Sequence, residues 1–107
     1  MIDSSVRLIE SRIIIFVEAR EFDYYMGMST FDTNIARAID RLEESENHYT
    51  IMGYNPLDHE IVCVGVYDLL AGCLKDIVIC DSYMVYKDSM IMETKKYLED
   101  KVRNKYI

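Results

Sequence analysis

Apolar residues are densest between Ile61 and Cys80, where fifteen of the twenty positions of IVCVGVYDLLAGCLKDIVIC are apolar. The run has the length of a membrane span, but Asp68, Lys75 and Asp76 lie inside it. A charge at bilayer depth costs roughly 2.5–3.5 kcal/mol on insertion scales, so three of them argue for a buried core segment and against a span.

Upstream, Val6, Ile9, Ile13 and Phe16 fall at helical spacing, while Leu8, Ile15, Ala19 and Phe22 mark a second stripe. With Ser4 or Ser5 as N-cap, this predicts a first helix reaching about Tyr25. A helix apolar on two sides must be covered on two sides, by its own bundle or by a partner subunit. The rival reading makes Arg12–Ala19 a strand, because Ile-Ile-Ile-Phe-Val is rich in β-formers; the helix is preferred. A second helix is predicted from a cap at Ser29, Thr30 or Asp32, with Phe31, Ile35, Ala38, Ile39 and Leu42 on its buried stripe. Asn34, Arg37, Asp40, Arg41, Glu43 and Glu44 occupy its solvated face, and the polar cluster Glu43–His48 ends it.

From Tyr49 the pattern forks. In one reading Asn55 caps a helix with Pro56 at its first position, and Asp58 and Glu60 complement the dipole. In the other, Tyr49–Tyr54 and Glu60–Tyr67 form a hairpin about the turn Asn55-Pro56-Leu57-Asp58. A fully apolar stretch such as Ile61–Tyr67 fits both. The spacing Leu70, Cys73, Leu74, Ile77 predicts helix after Asp68 on either reading. A last helix starts near Asp88 or Ser89, with Leu98, Val102 and Tyr106 on one stripe and Lys95, Lys96, Lys101, Arg103 and Lys105 towards its end.

Nothing in the chain marks a linker or a repeat, so residues 1–107 are read as one domain. Only four Gly and one Pro are present, and many-turned β folds usually consume more. The expected fold is therefore an all-α bundle of about four helices, with an α+β fold containing a hairpin near residues 49–67 as the alternative.

Charge narrows the partners. The net charge is −7, with 15 acids against 6 bases in residues 1–86 and 4 against 6 in residues 87–107. An acidic body makes nucleic-acid binding a poor fit and suits a partner with a basic surface. The basic tail alternates with Glu99 and Asp100, which suits a solvated helix end. Cys63, Cys73 and Cys80 all lie in the apolar run without a C-x-x-C pair, which suits buried thiols in a reducing cytoplasm. The N-terminus MIDSSVRLIESR carries no signal-peptide pattern, so a cytoplasmic protein is expected.

Catalytic cues are sparse. The cysteines lack a neighbouring base, and neither His48 nor His59 falls in a metal-binding spacing. No nucleophile elbow or Gly-rich phosphate loop is present. Glu18 with Glu21 and Glu43 with Glu46 form two E-x-x-E pairs, which on a helix share a face and can share a divalent cation. These pairs resemble a fragment of the all-α nucleoside triphosphate pyrophosphohydrolases, the MazG and dimeric dUTPase group. The resemblance covers about thirty residues and implies a magnesium site on Glu18, Glu21, Glu43 and Glu46. The second pair departs from the family's E-x-x-D.

Nine Tyr and seven Met remain, concentrated in Phe22-Asp23-Tyr24-Tyr25-Met26-Gly27-Met28 and in Tyr83-Met84-Val85-Tyr86 with Met90-Ile91-Met92. Tyr offers a large contact area with a polar tip, and Met adapts to irregular surfaces, so both suit binding faces. The expected function is a non-enzymatic interaction module, an adaptor or inhibitor of the kind phages and mobile elements direct at host machinery. Phe22, Asp23, Tyr24, Tyr25, Met26, Tyr83 and Tyr86 are its expected partner-binding residues. No cofactor is expected, and self-association into a homo-oligomer is. The alternatives are the magnesium-dependent hydrolase above and a protein that sequesters a small ligand such as a nucleotide.

Overall fold

Residues 6–18, read from sequence as part of a helix, fold as an antiparallel hairpin. In the computed structural model, which describes residues 5–42 and 45–106, β1 (Val6–Ile9) pairs with β2 (Arg12–Glu18) across a turn of Glu10 and Ser11. Both turn residues adopt the left-handed backbone, with φ of 50° and 67°. Two-residue hairpin turns require that conformation and usually recruit Asn-Gly for it, so Glu-Ser gives no turn signal. The expected all-α bundle is thereby overturned, and the fold is α+β. The apolar stripes come from strand alternation: Ile14 and Phe16 bury on one face of the sheet while Val17 buries on the other.

The rest of the chain adds α1 (Phe22–Gly27), α2 (Thr33–Asp40), β3 (His48–Asn55), β4 (Glu60–Asp68), β5 (Cys73–Ile79) and α3 (Lys87–Tyr106). Short 3-10 turns at Ala19–Glu21 and Asp81–Tyr86 lead into α1 and α3. The five strands form one antiparallel meander in chain order, β1-β2-β3-β4-β5. The second predicted helix is present, and its cap is Asp32, whose carboxylate accepts from Ile35 N at 2.9 Å. The last helix begins at Lys87, one residue before the expected start.

The fork at residues 49–67 resolves to the hairpin. Asn55 Oδ1 accepts from the backbone N–H of Leu57 (2.9 Å) and Asp58 (3.3 Å), which closes the turn between β3 and β4. The helical spacing after Asp68 is also overturned. Asp68 Oδ1 accepts from Leu70 N and Ala71 N at 2.9 and 3.0 Å, and Gly72 (φ +70°) completes a turn into β5. Leu70 is 79% exposed in that turn. Cys73 is exposed as well, whereas Cys63 and Cys80 are buried. The apolar run is thus core through β4 and partly surface along β5, one of the sheet's two edge strands.

Both faces of the sheet are covered. α3 packs on one face, with Tyr97 against Phe16 of β2 (ring centroids 4.9 Å) and Thr94 beside Gly65 of β4. α2 packs on the other through Ile35 and Ala38, and Phe22 of α1 is buried. A strand buried on both sides has no polar face to alternate with, which is why β4 reads as unbroken apolar sequence. The argument for self-association drawn from a two-sided helix goes with that helix. What the hairpin leaves in solvent is Leu8 beside Ile13 on its outer face. Among the described residues, no helix is long and apolar enough to cross a membrane.

Packing at the sheet centre is tight enough to exclude a single methyl group. A Cβ on Gly53 would lie 2.5 Å from Cys63 Sγ and 3.2 Å from Ile14 Cγ2. Gly53→Ala is therefore expected to cost about 1–3 kcal/mol in urea unfolding, as overpacked cores do. Cys63→Ala removes the sulfur it strikes, so the double variant should lose less than the two single losses added. Additive losses would contradict the close approach of β3 and β4 side chains here.

Candidate functional site

The two Tyr-rich segments meet at consecutive residues of one strand end. From α1, Tyr25 packs edge-on against Tyr54 of β3, ring centroids 4.9 Å apart, and the Tyr54 hydroxyl lies 2.8 Å from His59 Nδ1. From the turn before α3, the buried Tyr83 hydroxyl accepts from Asn55 Nδ2 at 2.8 Å. Tyr86 packs edge-on against Tyr83 (5.8 Å), and the Arg12 guanidinium lies 4.5 Å over the Tyr86 ring. Tyr54 and Asn55 are adjacent, so their side chains leave the strand on opposite sides and carry the two clusters to one end of the molecule.

Carboxylates ring that end. Asp32 Oδ2 accepts from Asp81 N at 2.7 Å, and Asp81 Oδ1 accepts from Asn34 Nδ2 at 2.8 Å. Thr30 bridges to Glu60 at the start of β4, and Asp58 accepts from Asn55 Nδ2 at 3.2 Å. Burial, then the charges of Asp32 and Asp58, hold the Glu60 carboxyl above its ordinary range. Burial likewise pushes the Tyr83 hydroxyl up, opposed by the Asn55 hydrogen bond and by Arg12. Among the described residues, none of Asp32, Asp58, Glu60 and Asp81 forms an ion pair. Leu57, at 75% exposure, crowns the β3–β4 turn, and Val85, at 79%, stands in the segment that carries Tyr83.

A carboxyl whose pKa is raised by folding penalises the folded state once ionised. Glu60→Gln should therefore stabilise the protein at neutral pH, where both folded and unfolded chains carry the charge. The gain should fade as pH falls through the raised folded value and be gone below the unfolded carboxyl value of about 4.3, where both states are protonated. Thermal melts of both proteins from pH 4 to 7 check this, and a pH-independent difference would contradict the crowding of Asp32, Asp58 and Glu60.

The expected binding residues divide. Tyr25, Tyr83 and Tyr86 join this end, and Tyr24 stands beside Tyr25 at 69% exposure. Phe22 is core. Asp23 and Met26 line the other side of α1, facing a cleft towards α2. Sequence reasoning missed Tyr54, Asn55 and His59 as members, because the hairpin that presents them was only an alternative.

Glu18 and Glu21, the first pair of the magnesium alternative, do not share a helical face. Glu18 ends β2, accepts from the Tyr49 hydroxyl and lies 3.8 Å from Arg20. Glu21 sits in the 3-10 turn, Glu46 in an exposed turn before β3, and Glu43 lies outside the described residues. The family resemblance implied a site built on helices, and the strand at Glu18 removes that basis. Among the described residues, no three His, Cys, Asp or Glu side chains gather as a metal site. Burial pushes the Cys63 thiol up to about 12 and raises Cys80 too, so neither is poised as a thiolate.

Compared with models of protein families, with curated proteins and with solved structures, the chain shows no match. The functional reading therefore rests on its own residues.

Proposed function

We propose that this chain is a non-enzymatic interaction module, an adaptor or inhibitor, that docks a partner's basic surface onto the end of the sheet where β3 turns into β4. One observation carries the reading. Asp32, Asp58 and Glu60 lie close enough to act on one another and, among the described residues, none of them forms an ion pair, beside the exposed apolar Leu57. Lysine or arginine from a partner would relieve that crowding, and an apolar contact at Leu57 would supply the desolvated centre that interfaces need. Tyr24, Tyr86 and Val85 extend the same end as wide, partly apolar contact area.

The test is capture from lysate on the immobilised protein, run beside two variants. Leu57→Ser with Asp58→Lys alters the face at exposed positions, and Arg103→Glu alters a remote, exposed site on α3. The reading expects a basic partner held by the wild type and the Arg103 variant, released by salt, lost from the face variant, and cross-linked near Leu57–Glu60. Capture that survives the face variant, or no capture by the wild type, overturns it.

A further inference from the structure

The five-stranded meander leaves two open edges, β1 and β5. Open edges offer unpaired backbone groups to other strands, and proteins blunt them with shortness, bulges or lysine. β1 is short, at four residues, whereas β5 runs for seven, Cys73–Ile79, without proline. Cys80 N donates to Val62 O at 2.9 Å, so by alternation Val78 and Asp76 also turn their backbone groups towards β4. Ile77 and Ile79 turn theirs outwards, where, among the described residues, no backbone group of another element bonds to them.

β5 does carry a lysine and a bulge, and at the same place. The register passes from Val66 opposite Asp76 to Tyr67 opposite Leu74, which leaves Lys75 without a partner on β4. The extra residue brings Lys75 and Asp76 to one face, where both are exposed and line the cleft against α2. Leu74 and Ile77 lie opposite Tyr67 and Gly65, on the face that α3 covers, and both are half-buried. Lys75 Nζ lies 3.3 Å from His48 Nε2, and among the described residues neither Lys75 nor Asp76 forms an ion pair. The Asp68 carboxylate acts on Lys75 from further off and is itself held by Leu70 N and Ala71 N.

We propose that two copies of this chain pair through β5, antiparallel about a two-fold axis between Lys75 and Asp76. In that register Lys75 stands opposite Asp76 of the second copy, and Asp76 opposite its Lys75. Leu74 and Ile77 meet in the same reciprocal way, so each covers apolar surface that the open edge leaves half exposed. A two-fold axis requires a self-complementary patch, and adjacent opposite charges on one face of a strand provide it. The same two charges deter a strand of other sequence, which would leave them unmatched. One strand a side buries less than the standard interface of roughly 1,600 Å², so the dimer is weak and reversible. It shares no residue with the proposed docking end and stands or falls apart from that reading.

The test is sedimentation of the full chain at about 0.01–1 mM, as wild type and as charge variants. The wild type should dimerise as concentration rises. Lys75→Asp sets acid against acid on both sides of the axis, and Asp76→Lys sets base against base, so each should weaken the dimer about tenfold or more. Mixed in equal amounts, the two variants restore opposite charges in the same register and should associate about as tightly as the wild type. Both positions are exposed, and circular dichroism of each variant checks that its sheet is intact. Nuclear Overhauser contacts between labelled and unlabelled wild-type copies should join Leu74 to Ile77. A wild type that stays monomeric, single variants that dimerise as tightly as it does, a mixture no tighter than its parts, or a dimer without the Leu74–Ile77 contact would each overturn the pairing.

Discussion

Replacing Tyr97 with alanine is expected to cost about 3–5 kcal/mol and to lower the thermal midpoint by about 15 °C or more. Tyr97 is 2% exposed, and its ring lies 4.9 Å from that of Phe16. The Arg7 guanidinium and the Lys101 ammonium approach the ring at 5.9 and 5.6 Å. A single side chain of α3 thus reaches the first hairpin, and the alanine variant leaves a void that the sheet cannot close from one side. Phe16→Ala should fall in the same range, and the double variant should lose less than the separate losses added, since the two rings share one contact. Urea unfolding followed by circular dichroism measures all three. A loss below about 1 kcal/mol at Tyr97 would mean that α3 does not rest on β2.

Asn55→Ala should cost about 2–4 kcal/mol, a large loss for a residue in a turn. Its side chain is buried and fully used. Oδ1 accepts from Leu57 N and Asp58 N, while Nδ2 donates to the Tyr83 hydroxyl and to Asp58 Oδ2. Alanine removes the bonds that shape the turn and strands the Tyr83 hydroxyl, and an unsatisfied buried group costs more than an average hydrogen bond is worth. Tyr83→Phe removes only one of these bonds and should cost about 1 kcal/mol. The ordering is diagnostic: a larger loss at Tyr83 than at Asn55 would show that the turn is not organised by Asn55. Because Leu57 and Asp58 ride on that turn, the Asn55 variant should also lose the proposed partner.

These positions show why the fold was only partly legible. α2 was readable because one face is solvated and Asp32 caps it, and α3 was readable from its charge order. The first hairpin was not readable. Its apolar residues fall on both faces, Leu8 and Ile13 on the exposed one, so the apolar–polar alternation that marks a strand is missing, and Val6, Ile9, Ile13 and Phe16 coincide with helical spacing. Its turn uses Glu10 and Ser11 in a conformation that sequence normally signals with Asn or Gly. The spacing of Leu70, Cys73, Leu74 and Ile77 misled for another reason. A turn closed by Asp68 and an irregular register between Val66 and Tyr67 break the two-residue period of the β4–β5 pair.

The site was legible in composition and hidden in arrangement. Both Tyr-rich segments stand out in the sequence, but only the hairpin register places Tyr54 and Asn55 where each cluster finds its partner. Asp32, Asp58 and Glu60 read separately as helix caps and dipole partners, and they crowd only once β4 starts beside Thr30.

Everything proposed for either surface depends on the sheet, and nuclear Overhauser contacts along β2, β3 and β4 test it most directly. The register expects cross-strand contacts joining Val17 to Met52 and Met52 to Val64, with extended-chain contacts through Arg12–Glu18. Helical contacts between residues three apart through Arg12–Glu18, without the cross-strand set, would contradict it.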